Sequence, residues 1–531
     1  MKIRFFIWIV WIFVFLQARS QDISIVLKST QIEGLGGIQS YARGEWQGYW
    51  FIFGGRLDGL HLRMPFASFD VAGHNNQILM VSPADNEVLK RPLTGLPTLL
   101  GEQLSSTNMQ FYQVGKYLYI TGGYGYSNSS NDDVTYPYLT AVDLEKLLTN
   151  IKSGTSINSA FRQVSHAGFE VTGGYMGRIG EEFYLVGGQK FRGRYNPMGP
   201  GHGPGFEQQY TDAIRKFRIN DDGQNIAVTD YQEIKDPALF HKRDYNMLPQ
   251  IMPDGSEGLT AFSGVFRTDA DLPFLNCVNI TPQGYAEQPS FNQLFNHYHC
   301  AHVPLYDSIS GEMHNVFFGG IAQFYMSNGT QIKDDNVPFV RTIADVVRTR
   351  DNKMKEYVLD VEMPGYLGSG AEFFISDDIA LTSNGVVRMN TLTGDTVLLG
   401  YIFGGIASTG KNIFFSNTGS QSSASSNIYK VYLVRGTGSF TGETSQNFTN
   451  LTVYPNPVTG VLNVSFSVQN YSEAEVSVLD EMGRIVMEDT LGRLVPGNHS
   501  YRKNLENFPQ GTYLLKLGSG SESVTVRFQI K

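Results

Sequence analysis

The chain has 531 residues, among them 57 Gly, 28 Tyr and 35 Phe, and a net charge of −9. That mixture disfavours long helices and favours short strands joined by many turns. A nucleic-acid partner asks for a basic face, and this acidic chain offers none at the level of the whole molecule.

At the N-terminus, Lys2 and Arg4 precede an unbroken apolar run over 5–16. The run is too short to cross a bilayer. Ala18-Arg19-Ser20 places small residues ahead of a cut before Gln21, so 1–20 reads as a secretory signal peptide. An uncleaved membrane anchor is the alternative. No cysteine follows the run to carry a lipid, and no later segment is apolar and long enough to span a membrane. Cys277 and Cys300 fit no zinc spacing. They form either one disulfide or two buried thiols.

Further along, one pattern recurs. Tyr49-Trp-Phe-Ile-Phe-Gly-Gly55 returns as Tyr117-Leu-Tyr-Ile-Thr-Gly-Gly123, Phe183-Tyr-Leu-Val-Gly-Gly188, Val316-Phe-Phe-Gly-Gly320 and Tyr401-Ile-Phe-Gly-Gly405. Leu259-Thr-Ala-Phe-Ser-Gly264 is a degenerate copy with Ser263 in the first glycine position. The runs favour strand by residue type. A glycine pair at a strand end suits positive φ or a close backbone approach. The spacing averages about 70 residues, which predicts a repeated four-stranded unit. Each unit has an inner strand with a polar start, the aromatic strand, a variable loop and two outer strands. In unit two the inner strand is 108–114, a two-residue turn at Gly115-Lys116 follows, and 124–133 is loop. A third strand at 136–144 leads into a short helix over 145–151. Unit three takes 164–171 as its inner strand, a turn running from Gly173-Gly174 to Gly180, then 182–186, and 213–219 and 226–234 as outer strands. Unit five begins at 299–306. Unit six makes a long excursion between Phe374 and Leu399 and ends on Ile428–Val434.

The aromatic strands ending in Gly-Gly, with polar strand starts such as Ser165-His166-Ala167, resemble the kelch-repeat family over about 30–437. The resemblance implies an all-β fold, a six-bladed kelch-like β-propeller spanning 21–437. A seventh blade hidden in one of the two longest intervals is the alternative. Two departures stand out: the period exceeds the roughly 50 residues of a kelch unit, and the outer-strand tryptophan of the family is missing.

Residues 438–450 have the polar Gly/Ser/Thr composition of a linker. Beyond it, short strand-like runs at 461–467, 475–479, 484–487, 499–503, 512–517 and 524–530 predict a small antiparallel β-sandwich over 451–531. Tyr454-Pro455-Asn456-Pro457, Asp480-Glu-Met-Gly483-Arg484-Ile-Val486, Gly511-Thr-Tyr513-Leu-Leu-Lys-Leu517 and the terminal Lys531 resemble the C-terminal sorting domain of the type IX secretion system of Bacteroidota. That resemblance implies recognition by the secretion machinery, and a protein released or attached at the outer-membrane surface.

If each inner strand starts at the end of the blade where the second strand stops, the flanking residues share one face. They are Arg56, His61 and Arg63; Asn108, Tyr124 and Tyr126; His166, Lys190, Arg192 and Arg194. Units four to six add Arg243, Asp244, Arg267, Asp269, His299, His302, Gln323, Tyr325 and Glu372. Arginine recognises carboxylate bidentately and aromatic rings cover apolar faces, so the set suits a glycan or a surface protein as ligand. The Gly/Pro-rich stretch 192–206 is either a binding loop over that face or an irregular excursion. His297-Tyr-His299-Cys-Ala-His302 has the look of a metal cluster, but its place at a strand start accounts for it. No metal or other cofactor is expected. Kelch-type propellers include copper radical oxidases and sialic acid mutarotases, and the oxidase ligand set has no counterpart here. Binding without chemistry is the leading reading. The alternative is a carbohydrate-active enzyme of mutarotase or lyase type, with His166 and Glu372 or Asp244 as acid and base.

Overall fold

Every aromatic run that ends in a glycine pair is the second of four antiparallel strands in a sheet, and the fifth of these sheets gains a further, parallel strand. The computed structural model describes residues 23–197, 205–295, 297–327, 329–394, 396–434, 447–480, 485–519 and 522–531. The stretch read as a signal peptide, most of the stretch read as a linker, Gly483 and Arg484 lie outside the described residues. The chain is all-β with many small antiparallel sheets and divides into two units, one ending at Arg435 and one beginning at Gly436.

In the first unit, six sheets follow one another. Their first strands are Ala42–Trp46, Gln110–Val114, Tyr175–Ile179, Asn246–Ile251, His302–Asp307 and Ala371–Ile375. Each sheet continues outward in chain order. The sixth is completed from the other end of the chain: its third strand, Ile428–Val434, pairs with Ser24–Thr30. The 376–395 excursion adds Val387–Arg388 in parallel to the first strand of the fifth sheet. Asn384 Nδ2 then reaches the Gln250 carbonyl of the fourth sheet at 3.0 Å.

The near-continuous apolar runs have a direct cause. Successive side chains of a strand point to opposite faces, and here both faces are covered. Phe51 and Phe53 pack with Leu118 and Ile120 of the second sheet. Trp50 and Ile52, which alternate with them in sequence, pack with Phe374 and Phe403 of the sixth. Similar clusters lie between the second and third sheets, the third and fourth, the fourth and fifth, and the fifth and sixth.

The glycine pairs tie one sheet to the next. In five of them the second glycine donates its N–H to the carbonyl four residues before the next first strand: Gly55 to Ser106, Gly123 to Val171, Gly188 to Lys242, Gly320 to Leu367 and Gly405 to Ile38. The last bond runs from the sixth sheet back to the first. Only glycine fits so close a crossing. At Gly122, with φ of 64°, a Cβ would stand 1.9 Å from the Val171 carbonyl oxygen. Ser263, in the degenerate copy, takes φ of 55° and donates its hydroxyl to the Phe274 carbonyl at 2.7 Å.

Three local expectations are corrected. Phe161–Ser165 is the fourth strand of the second sheet, and the third sheet begins at Tyr175. The hairpin turn lies at Gly180, whereas Gly173 is a left-handed residue ahead of the strand. The stretch 124–133 contains the hairpin Tyr124–Ser127 and Asp132–Thr135, which joins Gln189–Arg192 and Glu207–Tyr210 in a further four-stranded sheet. The predicted helix, Leu144–Ser153, is capped by Asp143 and Gly154 and links the third and fourth strands of the second sheet.

The second unit has a three-stranded sheet (Phe448–Tyr454, Val461–Val468, Gly497–Asn504) and a four-stranded one. They share a core of Leu462, Val464, Phe466, Val476, Val478, Leu515 and Leu517. Its first strand opens inside the stretch read as linker.

Candidate functional site

Six residue pairs, each separated by no more than two residues from the first strand that follows it, meet at one end of the first unit. They are Gln39-Ser40, Thr107-Asn108, Thr172-Gly173, Arg243-Asp244, Tyr298-His299 and Ser369-Gly370, and together they floor a cavity of about 840 Å³. The second residue of each pair has a left-handed φ, between 30° and 70°. Gly, Asn and Asp accept that region most readily.

This shared turn lets the backbone bond around the floor. Ser40 N–H donates to Gly370 O at 2.8 Å, Asn108 to Ser40 at 3.1 Å, Gly173 to Asn108 at 3.2 Å, Asp244 to Gly173 at 2.7 Å and Gly370 to His299 at 2.7 Å. Between the fourth and fifth sheets the link is made by side chains. Tyr298 Oη donates to Asp244 Oδ2 at 3.0 Å. Asp244 also accepts from Arg243 Nη1, and from Asn108 Nδ2 at 3.1 Å. Its carboxylate is therefore engaged on both oxygens.

The walls are the segments that follow the glycine pairs, and they are aromatic. Phe69 meets Tyr124 and Tyr195 edge-on at 5.5 and 5.7 Å. Phe191 and Phe206 stack at 4.7 Å. Tyr210 stacks on His241 at 3.8 Å, and Phe266 lies under the Arg243 guanidinium. Tyr124 Oη donates to Gly193 O at 2.7 Å and accepts from Tyr195 N–H at 3.1 Å, tying two wall loops together. Burial pushes the His61 imidazole down to about 4, so it is neutral in the wall.

Of the residues singled out in sequence, Arg56, His61, Arg63, Asn108, Tyr124, Arg243, Asp244, Arg267 and His299 line the cavity. The others stand elsewhere. His166 sits at the end of the second sheet's outer strand, where its Nδ1 accepts from Gly168 N–H and its ring packs on Tyr231. Lys190 pairs with Glu170 at 2.6 Å, Arg192 is exposed, and Arg194 donates to the Ser68 carbonyl at 2.6 Å. Tyr325 lies in the hairpin Phe324–Ser327 and Thr330–Lys333, under Lys411. His302 is below the floor: Nδ1 faces the Cys300 carbonyl at 2.8 Å and Nε2 the Tyr175 hydroxyl at 3.1 Å. Glu372 is buried between Arg43 at 3.5 Å and His299 at 3.6 Å. Burial opposes the His299 imidazolium, but the Glu372 carboxylate outweighs it and raises the histidine above its ordinary value.

Most of the aromatic wall was not foreseen. Phe69, Phe266 and Phe414 sit in irregular segments whose fold no local pattern announces. The floor did carry a signal, since Ser40, Asn108, Gly173, Asp244 and Gly370 are small or turn-forming residues just ahead of a strand.

Among the described residues no group of three or more His, Cys, Asp or Glu side chains could hold a metal. His297 turns its Nδ1 to the Gly319 carbonyl at 2.8 Å, away from His299 and His302. Cys277 and Cys300 are free and buried, and burial pushes each thiol up to about 12. A second cavity, of about 460 Å³, lies between 23–27 and 358–361.

In the second unit, Tyr454 is exposed. Asn456 Oδ1 accepts from Gln529 N–H at 2.9 Å, fixing the Pro455 to Pro457 turn against the last strand. Gly511 opens a core strand, and the Tyr513 hydroxyl donates to the Pro509 carbonyl at 2.9 Å.

Residues 452–531 match the family described as the secretion system C-terminal sorting domain. No curated protein matches the chain in sequence. Solved structures that match the chain include the following three. A fungal alcohol oxidase of the AA5 family, in complex with copper, is 9% identical, with 95% of this chain and 98% of that one covered, at a TM-score of 0.36. YjhT is 11% identical over 60% of this chain and 84% of its own, at 0.35. PorZ, a surface component of the type IX secretion system of Porphyromonas gingivalis, is 12% identical over 93% and 80%, at 0.17. Scores this low decide nothing about fold or chemistry. The tail is the firm assignment. It marks the chain for the type IX system, hence for interaction with that machinery and for export to the cell surface or beyond.

Proposed function

We propose that the exported protein is a six-bladed, kelch-like β-propeller that binds a glycan in the loop-face cavity and leaves it chemically unchanged. The serial bonding of the six sheets, returning from Gly405 to Ile38, supports the propeller. The cavity carries the binding reading: it has aromatic walls over a floor of polar residues drawn from all six sheets. Aromatic rings cover the apolar faces of a sugar, and a few fixed polar groups orient it.

A pocket for catalysis would need a carboxylate free to move a proton within about 2.6–3.2 Å of its target. Asp244 is already held by three donors. The His299–Glu372 contact, at 3.6 Å, is the observation that favours an acid–base enzyme as the second reading. A glycan panel presented to the purified mature chain, read for both binding and product formation, separates the two. Binding without product supports the first reading, product supports the second, and neither on any glycan sinks both.

A further inference from the structure

We infer that the cavity selects uncharged saccharides. The inference rests on the glycan reading above and narrows it. Four arginines line the cavity, which by themselves would suit an acidic sugar. Three of them are already neutralised within their own segment. Arg56 donates through Nε to Asp58 Oδ1 at 2.7 Å and through Nη2 to the same carboxylate and to the Asp70 carbonyl at 3.0 Å. Arg267 grips Asp269 the same way, with Nε to Oδ1 at 2.9 Å. Arg243 is bound to Asp244. Arg56-Leu57-Asp58 and Arg267-Thr268-Asp269 both follow a glycine pair or its degenerate copy, so the acid is supplied beside the base by the chain itself.

A ligand carboxylate would have to displace a partner tethered two residues away, at a high effective concentration. The fourth arginine, Arg63, lies over the Phe415 ring at 5.4 Å, and the lining also carries the carboxylates of Asp244, Asp271 and Asp335. What the cavity offers a ligand is aromatic surface. Its volume is toward the upper end of the roughly 300–1,000 Å³ range of ligand pockets, which leaves room for more than one pyranose ring.

The test is calorimetric titration of the full mature chain with neutral tetrasaccharides (maltotetraose, cellotetraose, mannotetraose) and with tetragalacturonate and a sialylated tetrasaccharide, at low and high salt. At least one neutral probe is expected to bind tenfold or more tighter than either acidic one, with little salt dependence. Tighter binding of an acidic probe, falling steeply with salt, overturns the inference and leaves the glycan site standing. No heat from any saccharide overturns the glycan reading itself. Asp269→Asn, which frees the half-exposed Arg267, is expected to improve tetragalacturonate binding at least threefold; an unchanged acidic affinity also counts against the charge argument.

Discussion

Replacing Asp244 by Asn tests how the cavity floor is held. Asp244 supplies the side-chain link between the fourth and fifth sheets, accepting from Tyr298 at 3.0 Å, from Asn108 at 3.1 Å and from Arg243. Asn keeps the size of the residue and tolerates its φ of 48°, so the backbone has no reason to move. What is lost is the charge. The Arg243 and Asp244 side chains are only 12% and 9% exposed, and removing one partner from so dry a pair costs about 3–5 kcal/mol. Unfolding entropy of about 2.1 cal/mol/K per residue, over a unit of roughly 400 residues, converts that to a fall in Tm of about 4–6 °C. Scanning calorimetry of Asp244→Asn, Arg243→Gln and the double variant measures it. The double variant should cost clearly less than the sum of the singles, because each single leaves a charge stranded. A Tm of Asp244→Asn within about one degree of the parent, or strict additivity, would refute the reasoning.

Glu356 offers a test by pH. Its carboxyl is buried, accepts from the Leu294 and Phe295 amides at 2.7 and 3.2 Å, and is raised by burial to about 8. A carboxyl raised in the fold contributes stability that is complete below its unfolded value near 4.5 and is lost as pH climbs toward 8. Relative to the parent, Glu356→Gln should therefore gain about 1.4 kcal/mol per pH unit across that window in denaturant titrations; a flat difference would show that the carboxyl is not buried as described. Cys277 and Cys300 should resist a thiol reagent in the native protein and both react after denaturation; fast native labelling would contradict their burial. Deleting 452–531 should leave the protein in the periplasm by cell fractionation, and a truncated chain that still reached the surface would sink the sorting assignment.

Much of this was legible because the repeat is carried by backbone demands. A strand that crosses a neighbouring carbonyl needs Gly122 or its equivalents, and a strand buried on both faces needs runs such as Tyr-Trp-Phe-Ile-Phe. Those requirements leave marks in sequence. The misplaced inner strand of the third unit shows the limit: Gly173-Gly174 and Gly180 both read as turns, and only tertiary contact with Asp244 tells the floor residue from the hairpin. His166 was assigned to the site through that slip. Ser24–Thr30 was missed as a sheet member because its partner lies about 400 residues away, and no local pattern encodes so distant a pairing. The aromatic wall was hidden for a similar reason. The charge-neutral character of the cavity needed side-chain geometry, since Arg56 and Arg267 read as ligand-binding cations until their carboxylates are seen at hydrogen-bond distance.

The central claim, that ligand sits in the loop-face cavity, is tested most directly by hydrogen–deuterium exchange on the full mature chain with and without a saturating saccharide from the panel. The account predicts added protection in 56–69, 189–197, 205–210 and 241–244, with none in 23–27 or 358–361. Protection confined to those last two segments would place the ligand in the other cavity and contradict it.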